Sequence, residues 1–352
     1  MILYRAVALS STFSATLPVG AKLVVLGTGG TIAGTGHDAS RPWAYQAGQL
    51  GVQQLVQAVP GLQAWGDSLV CEQVAQRDSK DMGWGVWRAL ALALQRHLAD
   101  PDVIGVVVTH GTDTLEETAA LLYWLVPTRR PIVLTAAMRP ATAPDADGPD
   151  NLMDALHLVV QAHFDGQAGV TAVMHGRVWS ARDVRKAHSH AIDAFDGGDE
   201  GPLAALRPTG PVAARCDMAM PPWPQGPALG WAALVESNSA SLPLVLLVTS
   251  HAAMDAAWLR VLCDQPATRP AGIVVACTGH GTVHESLETV LHHAQAQGVV
   301  VWRSSRVARG GVCPRTDDTW PATGHWTAAQ ARLALQLHLM GVPLSPDTLV
   351  DA

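Results

Sequence analysis

Short apolar runs alternate along the chain with longer stretches whose apolar positions recur at helical spacing. The runs Leu23–Leu26, Val103–Thr109, Ile132–Thr135 and Val170–Met174 predict buried strands. Gln49–Val59, Met82–Leu98, Thr114–Leu125 and Asn151–His163 predict helices. Such alternation implies βαβ units and a mostly parallel sheet flanked by helices. From Ala204 to Ser241 the pattern dissolves, and Pro208, Pro211, Pro221, Pro222, Pro224 and Pro227 punctuate it as in a linker. A second alternation follows, with Leu244–Val248, Ile273–Ala276 and Val299–Trp302 as strands and Ala252–Cys263, His284–Gln297 and Ala328–Met340 as helices. The expected architecture is α/β: an extension over 1–20, a larger N-terminal domain over 21–203, a linker over 204–241 and a smaller α/β domain over 242–352.

Composition narrows the function classes. The chain has 352 residues, 48% of them hydrophobic, enough to build two cores. Only 15% are charged, against roughly 25% in ordinary globular chains, which argues against disorder. The formal net charge is -7 and no long basic run occurs, so nucleic acid is not an expected partner. No apolar run approaches the roughly 18 residues that span a bilayer, so no membrane partner is expected. Near the start, Ser10, Ser11, Thr12 and Ser14 interrupt the apolar stretch that follows Arg5; this reads as a loose extension and predicts a cytoplasmic protein. Five scattered cysteines (Cys71, Cys216, Cys263, Cys277 and Cys313) form no C-x-x-C and read as buried thiols. Among fifteen histidines, His188-x-His190, His292-His293 and the pair His280 and His284 lack a third ligand at workable spacing. Surface or loop histidines are expected, with no metal and no other cofactor.

Two segments carry chemistry. Gly27-Thr28-Gly29-Gly30-Thr31-Ile32-Ala33-Gly34 follows the first strand, and His110-Gly111-Thr112-Asp113-Thr114 follows the second. Parallel strands end on one edge, so two threonines from separate strand ends can meet in one cleft. Glycines let the backbone turn tightly and aim N–H groups at an incoming oxygen. Hydroxyls beside such a nest suit acyl transfer. The bland reading of Thr31 is a helix N-cap after a glycine turn.

These residues, with Ala44-Tyr45, Asp78-Ser79-Lys80-Asp81-Met82, Ala136-Ala137-Met138-Arg139-Pro140, Asp147-Gly148-Pro149, Ala181-Arg182-Asp183-Val184-Arg185-Lys186 and Ser304-Ser305-Arg306-Val307, resemble the bacterial L-asparaginases of the two-domain asparaginase/glutaminase family. The resemblance runs from about Lys22 to about Met340 and keeps the family's order and spacing. It implies an amidohydrolase that converts asparagine to aspartate and ammonia, through a threonyl acyl-enzyme or a directly activated water. Thr31 is then the leading nucleophile and Tyr45, on a glycine-rich lid with Gly34, Gly36 and Gly48, its partner. Thr112, Asp113 and Lys186 form a second constellation. Lys22, Lys80 and Lys186 are the only lysines, and a desolvated lysine, unlike arginine, can release its proton near neutral pH. Lys186 reads either as a proton shuttle or as the cation of a salt bridge to Asp113, and the two are compatible. Gly30, Asp78, Ser79, Thr112, Asp113 and the Ala137 carbonyl are implied substrate contacts. The resemblance also implies a homo-oligomer, a tetramer built from close dimers whose sites are shared across subunits.

The chain departs from the family in three places. Lys80 stands where an uncharged residue is usual, and either strengthens carboxylate binding or is merely solvated. His280 stands at the position of a partner-subunit Asn, implying a substrate contact lent in trans. The segment Arg309 to Asp318 has no Glu, leaving Asp317 or Asp318 as substitutes. These departures leave asparagine and glutamine undivided as substrates. A dinucleotide-binding reading of Gly27-x-Gly29 fails because Ile32 occupies the sixth position of the fingerprint and no acidic residue is suitably placed. A non-catalytic amino-acid sensor is disfavoured by the intact threonine, lysine and aspartate set.

Overall fold

The structure, a computed structural model, describes residues 17, 20–36, 45–59, 61–206, 222–230, 232–236, 241–315 and 318–346. The chain divides into two compact units between Ala228 and Leu229.

The first unit opens with β1 (Lys22–Gly29), whose residues are buried from Leu23 onward. A short hairpin follows, β2 (Thr35–Gly36) with β3 (Tyr45–Gln46), then α1 (Val52–Ala58). Next come β4 (Leu69–Arg77), α2 (Trp84–Ala99), β5 (Val103–Thr109), α3 (Leu115–Leu125) and β6 (Pro131–Thr135). The unit continues through α4 (Gly148–Phe164), β7 (Gly169–Met174), β8 (Arg177–Ser180), the two-residue strands β9 (Arg185–Lys186) and β10 (Phe195–Asp196), and β11 (Ala204–Ala205). Seven strands form one sheet in the order β11-β8-β7-β6-β5-β1-β4. From β4 to β7 all neighbours run parallel; β8 and β11 are antiparallel additions. Leu23, Val25, Val107 and Val133 of the sheet pack with Leu156 and Val159 of α4 in one core. Register then decides the site: Gly27 lies opposite Thr109, and Gly29 opposite Arg77, so β1, β5 and β4 all end side by side.

The second unit holds α5 (Ala232–Val235), β12 (Val245–Thr249), α6 (Ala257–Asp264), β13 (Gly272–Cys277), α7 (Glu285–Ala296), β14 (Val300–Ser305) and α8 (Ala328–Leu339). Its sheet is parallel, ordered β12-β13-β14. Ile273, Val275 and Val301 meet Leu259 of α6 and Leu287 and Leu291 of α7 in its core.

The larger and smaller α/β bodies match the periodicity. Several details differ from it. β4, not expected from the pattern, is an edge strand with no fully buried residue, so its mixed sequence LVCEQVAQR has no apolar run to detect. α6 starts at Ala257 rather than Ala252, because Ala253 takes φ 54° and Asp255 accepts the Ala257 N–H at 2.9 Å. The expected linker also carries first-unit structure: Ala204–Ala205 pairs with β8, and Trp223 is buried in the first core. Residues 207–221 and 237–240, most of the expected extension over 1–20, and Ala44 lie outside the described residues. Among the described cysteines, Cys263 and Cys277 are buried and Cys71 is half-buried, but Cys313 is exposed, against the expectation of buried thiols throughout. No helix among the described residues is long and apolar enough to cross a membrane.

Candidate active site

Backbone contact between glycines assembles the site. At the end of β1, Gly29 and the following Gly30 take φ 106° and 81°, where a side chain would be strained. A Cβ on Gly30 would run into the Gly111 backbone, and one on Gly111 would strike the Ser79 side chain. Three turns, following β1, β5 and β4, therefore touch with no side chain between the glycines. The Gly30 N–H is held by the Arg77 carbonyl at 2.8 Å. Thr31 and Thr112, each one residue past a touching glycine, are thereby brought to one place.

Thr31 opens a 3₁₀ turn, Thr31–Ala33, and caps nothing with its side chain. Its Oγ1 instead lies 2.6 Å from the Tyr45 hydroxyl, so the N-cap reading does not hold. Tyr45 stands on β3, its ring close against Gly34, where an added Cβ would come within 2.9 Å of Cδ2. Burial pushes the Tyr45 phenol above its usual range; the Thr31 hydrogen bond opposes this, while the charges of Asp113 and Asp78 add to it. The resting phenol is neutral. Tyr45 can take a proton from Thr31 only as it passes on its own.

The second group is equally tight. Lys186 Nζ donates to Thr112 Oγ1 at 2.9 Å and to Asp113 Oδ1 at 2.5 Å. The Asp113 side chain remains 53% exposed, so the ion pair leaves it open to a further cation. Ser79 Oγ accepts the Asp113 N–H at 3.2 Å, and the Ser79 carbonyl accepts the Thr114 hydroxyl at 2.8 Å. Asp78 caps the short turn Ser79–Asp81 through the Lys80 N–H at 3.2 Å. Thr31, Thr112 and Ser79 are all buried.

Sequence reading missed the supports. His110 has no exposed surface, and burial pushes its imidazole down to about 4, so it is uncharged at neutral pH. The Gly111 carbonyl can only accept, so His110 Nδ1 donates to it at 2.7 Å. Nε2 then accepts from Thr118 at 2.9 Å, and Thr118 Oγ1 accepts from Trp87 Nε1 at 2.8 Å. Gln73 joins the Gly27 carbonyl at 3.1 Å to the Val52 N–H at 2.7 Å beneath the first turn. Asn151 Nδ2 holds the Ala136 carbonyl at 2.9 Å, while Asp147 accepts the Met138 and Arg139 N–H groups at 3.0 and 2.9 Å. Ala137, between these clamps, is buried with Ile32 and Ala33. None of these supports has a periodic signature, because the partners sit at irregular separations, from the adjacent Gly111 for His110 to Gly27 and Val52 for Gln73.

Residues 22–215 match the family pattern "Asparaginase, N-terminal", and residues 244–349 match "Glutaminase/Asparaginase C-terminal domain". The chain belongs to the asparaginase family. It is 35% identical over 322 residues to a probable periplasmic L-asparaginase of Haemophilus influenzae, covering 90% of this chain and 88% of that protein. It is 34% identical to L-asparaginase 2 of Escherichia coli over the same shares. In structure it resembles a probable cytoplasmic L-asparaginase from Campylobacter jejuni, with TM-score 0.80 and 33% identity over 94% of this chain and 98% of that one.

Within this asparaginase-family chain, Gly30, Thr31, Tyr45, Asp78, Ser79, Thr112, Asp113, Ala137 and Lys186 all fall in the first unit. His280 falls in the second. It is exposed at the tip of the β13–α7 loop, which Thr278 and Thr282 close with reciprocal backbone bonds of 3.0 Å. Ser305 Oγ and Arg303 Nη1 brace that loop through the Gly279 and Gly281 carbonyls at 2.9 and 3.0 Å. Asp318 is engaged in its own unit by Arg303 and by the Arg315 N–H; Asp317 lies outside the described residues. Lys80 ion-pairs with Asp81 at the surface. Among the described residues no three His, Cys, Asp or Glu side chains gather as metal ligands.

Proposed function

We propose that this protein hydrolyses L-asparagine to L-aspartate and ammonia, with Thr31 as nucleophile. The observation that carries the reading is that two buried threonines each follow one of a touching pair of glycines, with Thr31 bonded to Tyr45 and Thr112 to a lysine whose Asp113 partner stays accessible. Asp113 takes the substrate ammonium, and Ser79 with neighbouring N–H groups takes the α-carboxylate. Thr31 Oγ1 attacks the amide carbon while its proton moves to Tyr45 and the Tyr45 proton passes to solvent water; when the threonyl ester later opens, Thr31 Oγ1 recovers a proton from solvent by the reverse path through Tyr45. The C–N bond breaks as Lys186, through Thr112, hands a proton to the leaving nitrogen. Lys186, now a neutral amine, then takes a proton from the water that opens the threonyl ester. Water activated directly by Thr112 and Lys186 would give the same products. Glutamine is the second substrate to test, since the C-terminal family description names glutaminase and asparaginase together.

Ammonia release by purified protein tests this reading. Turnover of asparagine is expected without added nucleotide and undiminished by EDTA. No release from either amide, or loss on chelation restored by a metal ion, would overturn it.

The active unit is proposed to be a homo-oligomer, a dimer of close dimers, in which His280 contacts substrate in a partner's cleft. Symmetry makes such a contact reciprocal. Mixing Thr31→Ala subunits with His280→Ala subunits, each impaired alone, should yield some intact sites and more activity than the two added together. A fully active monomer in light scattering, or no gain on mixing, would count against a shared site. The compartment proposed is the cytoplasm, the one named for the Campylobacter relative; release of activity by osmotic shock would instead match the periplasmic name of the Haemophilus relative.

A further inference from the structure

Lys186 sits on β9, a strand of two residues whose antiparallel partner β10 is equally short. So brief a ladder fixes a backbone poorly by itself. A second anchor is present: the Lys186 N–H donates to Glu116 Oε2 at 3.0 Å. Glu116 lies in the first turn of α3, four residues after Thr112 and three after Asp113. The far end of the same lysine, Nζ, is bound to Thr112 Oγ1 and Asp113 Oδ1. Both ends of Lys186 are thus tied to one stretch of chain. The main chain is held by the helix, and the ammonium by the turn that leads into it.

We infer that Glu116 is a positioning residue for the amide hydrolysis, holding the Lys186 main chain so that Nζ meets Thr112 at proton-transfer distance. This rests on the role proposed for Lys186. A carboxylate in the first turn of a helix is favoured by the helix dipole and held on a rigid element, which suits it as a fixed reference. In this inference Glu116 acts through Lys186, whose N–H it accepts. A misplacement of about 1 Å at a proton-transferring group costs on the order of 100-fold in rate. Nζ also bonds Asp113, so a small rise in KM is expected, but proton transfer depends on the Nζ position most steeply and the larger loss belongs in kcat.

The test uses the full-length protein and four variants, with kcat, KM and thermal midpoint measured on each. Lys186→Met checks the underlying role and should lose at least about 100-fold in kcat. Glu116→Ala should lose between about 10- and 100-fold in kcat with KM within about threefold. Glu116→Gln keeps an oxygen to accept the N–H and should recover kcat to within about threefold of wild type. Glu116→Asp keeps the charge but is one methylene short. It should fall with the Ala variant, which keeps the inference testable if Glu116→Ala does not fold. The pH profile of kcat should move in the Ala and Asp variants and stay in place in Gln. If Lys186→Met is inactive while Glu116→Ala or Glu116→Asp turns over like wild type, the positioning role is overturned alone. If Lys186→Met is itself active, the underlying role fails and the inference falls with it. A fall in thermal midpoint with kcat and pH profile unchanged would show Glu116 to be structural only.

Discussion

Thr31→Ala and Thr112→Ala should each lower turnover by at least about 10³-fold, close to 4 kcal/mol of lost transition-state stabilisation. The size follows from what each hydroxyl does. Thr31 Oγ1 supplies the bond-forming oxygen in the proposed reaction, and its one described side-chain partner is Tyr45 at 2.6 Å. Alanine leaves the phenol with nothing to relay. In the same proposal Thr112 Oγ1 links Lys186 Nζ to the substrate, so alanine would leave the ammonium with Asp113 as its described partner. Both variants should fold. Neither hydroxyl lies within an α-helix or a strand of the sheet; each follows a glycine at a strand end. Leaving the partly buried Tyr45 hydroxyl or Lys186 ammonium without a partner costs about 1–3 kcal/mol, which lowers the thermal midpoint without abolishing the fold. Thr31→Ser keeps the oxygen and should retain more turnover than Thr31→Ala. If either alanine variant kept more than about a tenth of wild-type turnover, a deficit of only about 1.4 kcal/mol, that threonine would not have the role assigned to it.

Lys186→Arg separates proton transfer from simple ion pairing. Arginine keeps the positive charge and can keep the bond to Asp113, but its guanidinium does not release a proton in proteins. Turnover should fall by at least about 100-fold. Stability should hardly change. The pair is half open, with Asp113 53% exposed, and a screened pair of this kind is worth at most about 1 kcal/mol. That amounts to about 2–4 °C in thermal midpoint for a body of this size. Kinetics and melting on one preparation decide the matter. An arginine variant with near-normal turnover would leave the salt bridge as the whole role of Lys186 and remove the shuttle.

Much of this molecule is legible along the chain because it depends on short-range physics. The apolar runs that become β1, β5, β6 and β7 are buried on both faces, so they appear as unbroken stretches of Val, Ile and Leu. Their helices carry the matching periodicity, and chain order alone puts the ends of those strands on one edge. The turn glycines are readable too, since Gly29 and Gly30 adopt positive φ that other residues resist. From these the fold class and the two threonine turns at one sheet edge follow, whereas Tyr45, Asp78, Ala137 and Lys186 are implied by the family resemblance.

Tertiary structure decided the rest, for one reason: the partners are distant in sequence and the segments are too short or too mixed to announce themselves. β4 is an edge strand whose polar residues break its pattern, yet its end places Asp78 and Ser79 beside the two glycine turns. β9 and β10 are two residues each, visible only once they pair. His110 looks like any loop histidine until burial makes it neutral, the Gly111 carbonyl fixes its tautomer, and Thr118 and Trp87 complete its bonds. Glu116 looks like an ordinary first-turn acid until the Lys186 N–H, 70 residues on, arrives at its carboxylate. Local sequence chose the reactive groups and the turns that carry them. Long-range packing, through hydrogen bonds that no periodicity encodes, set the distances between them.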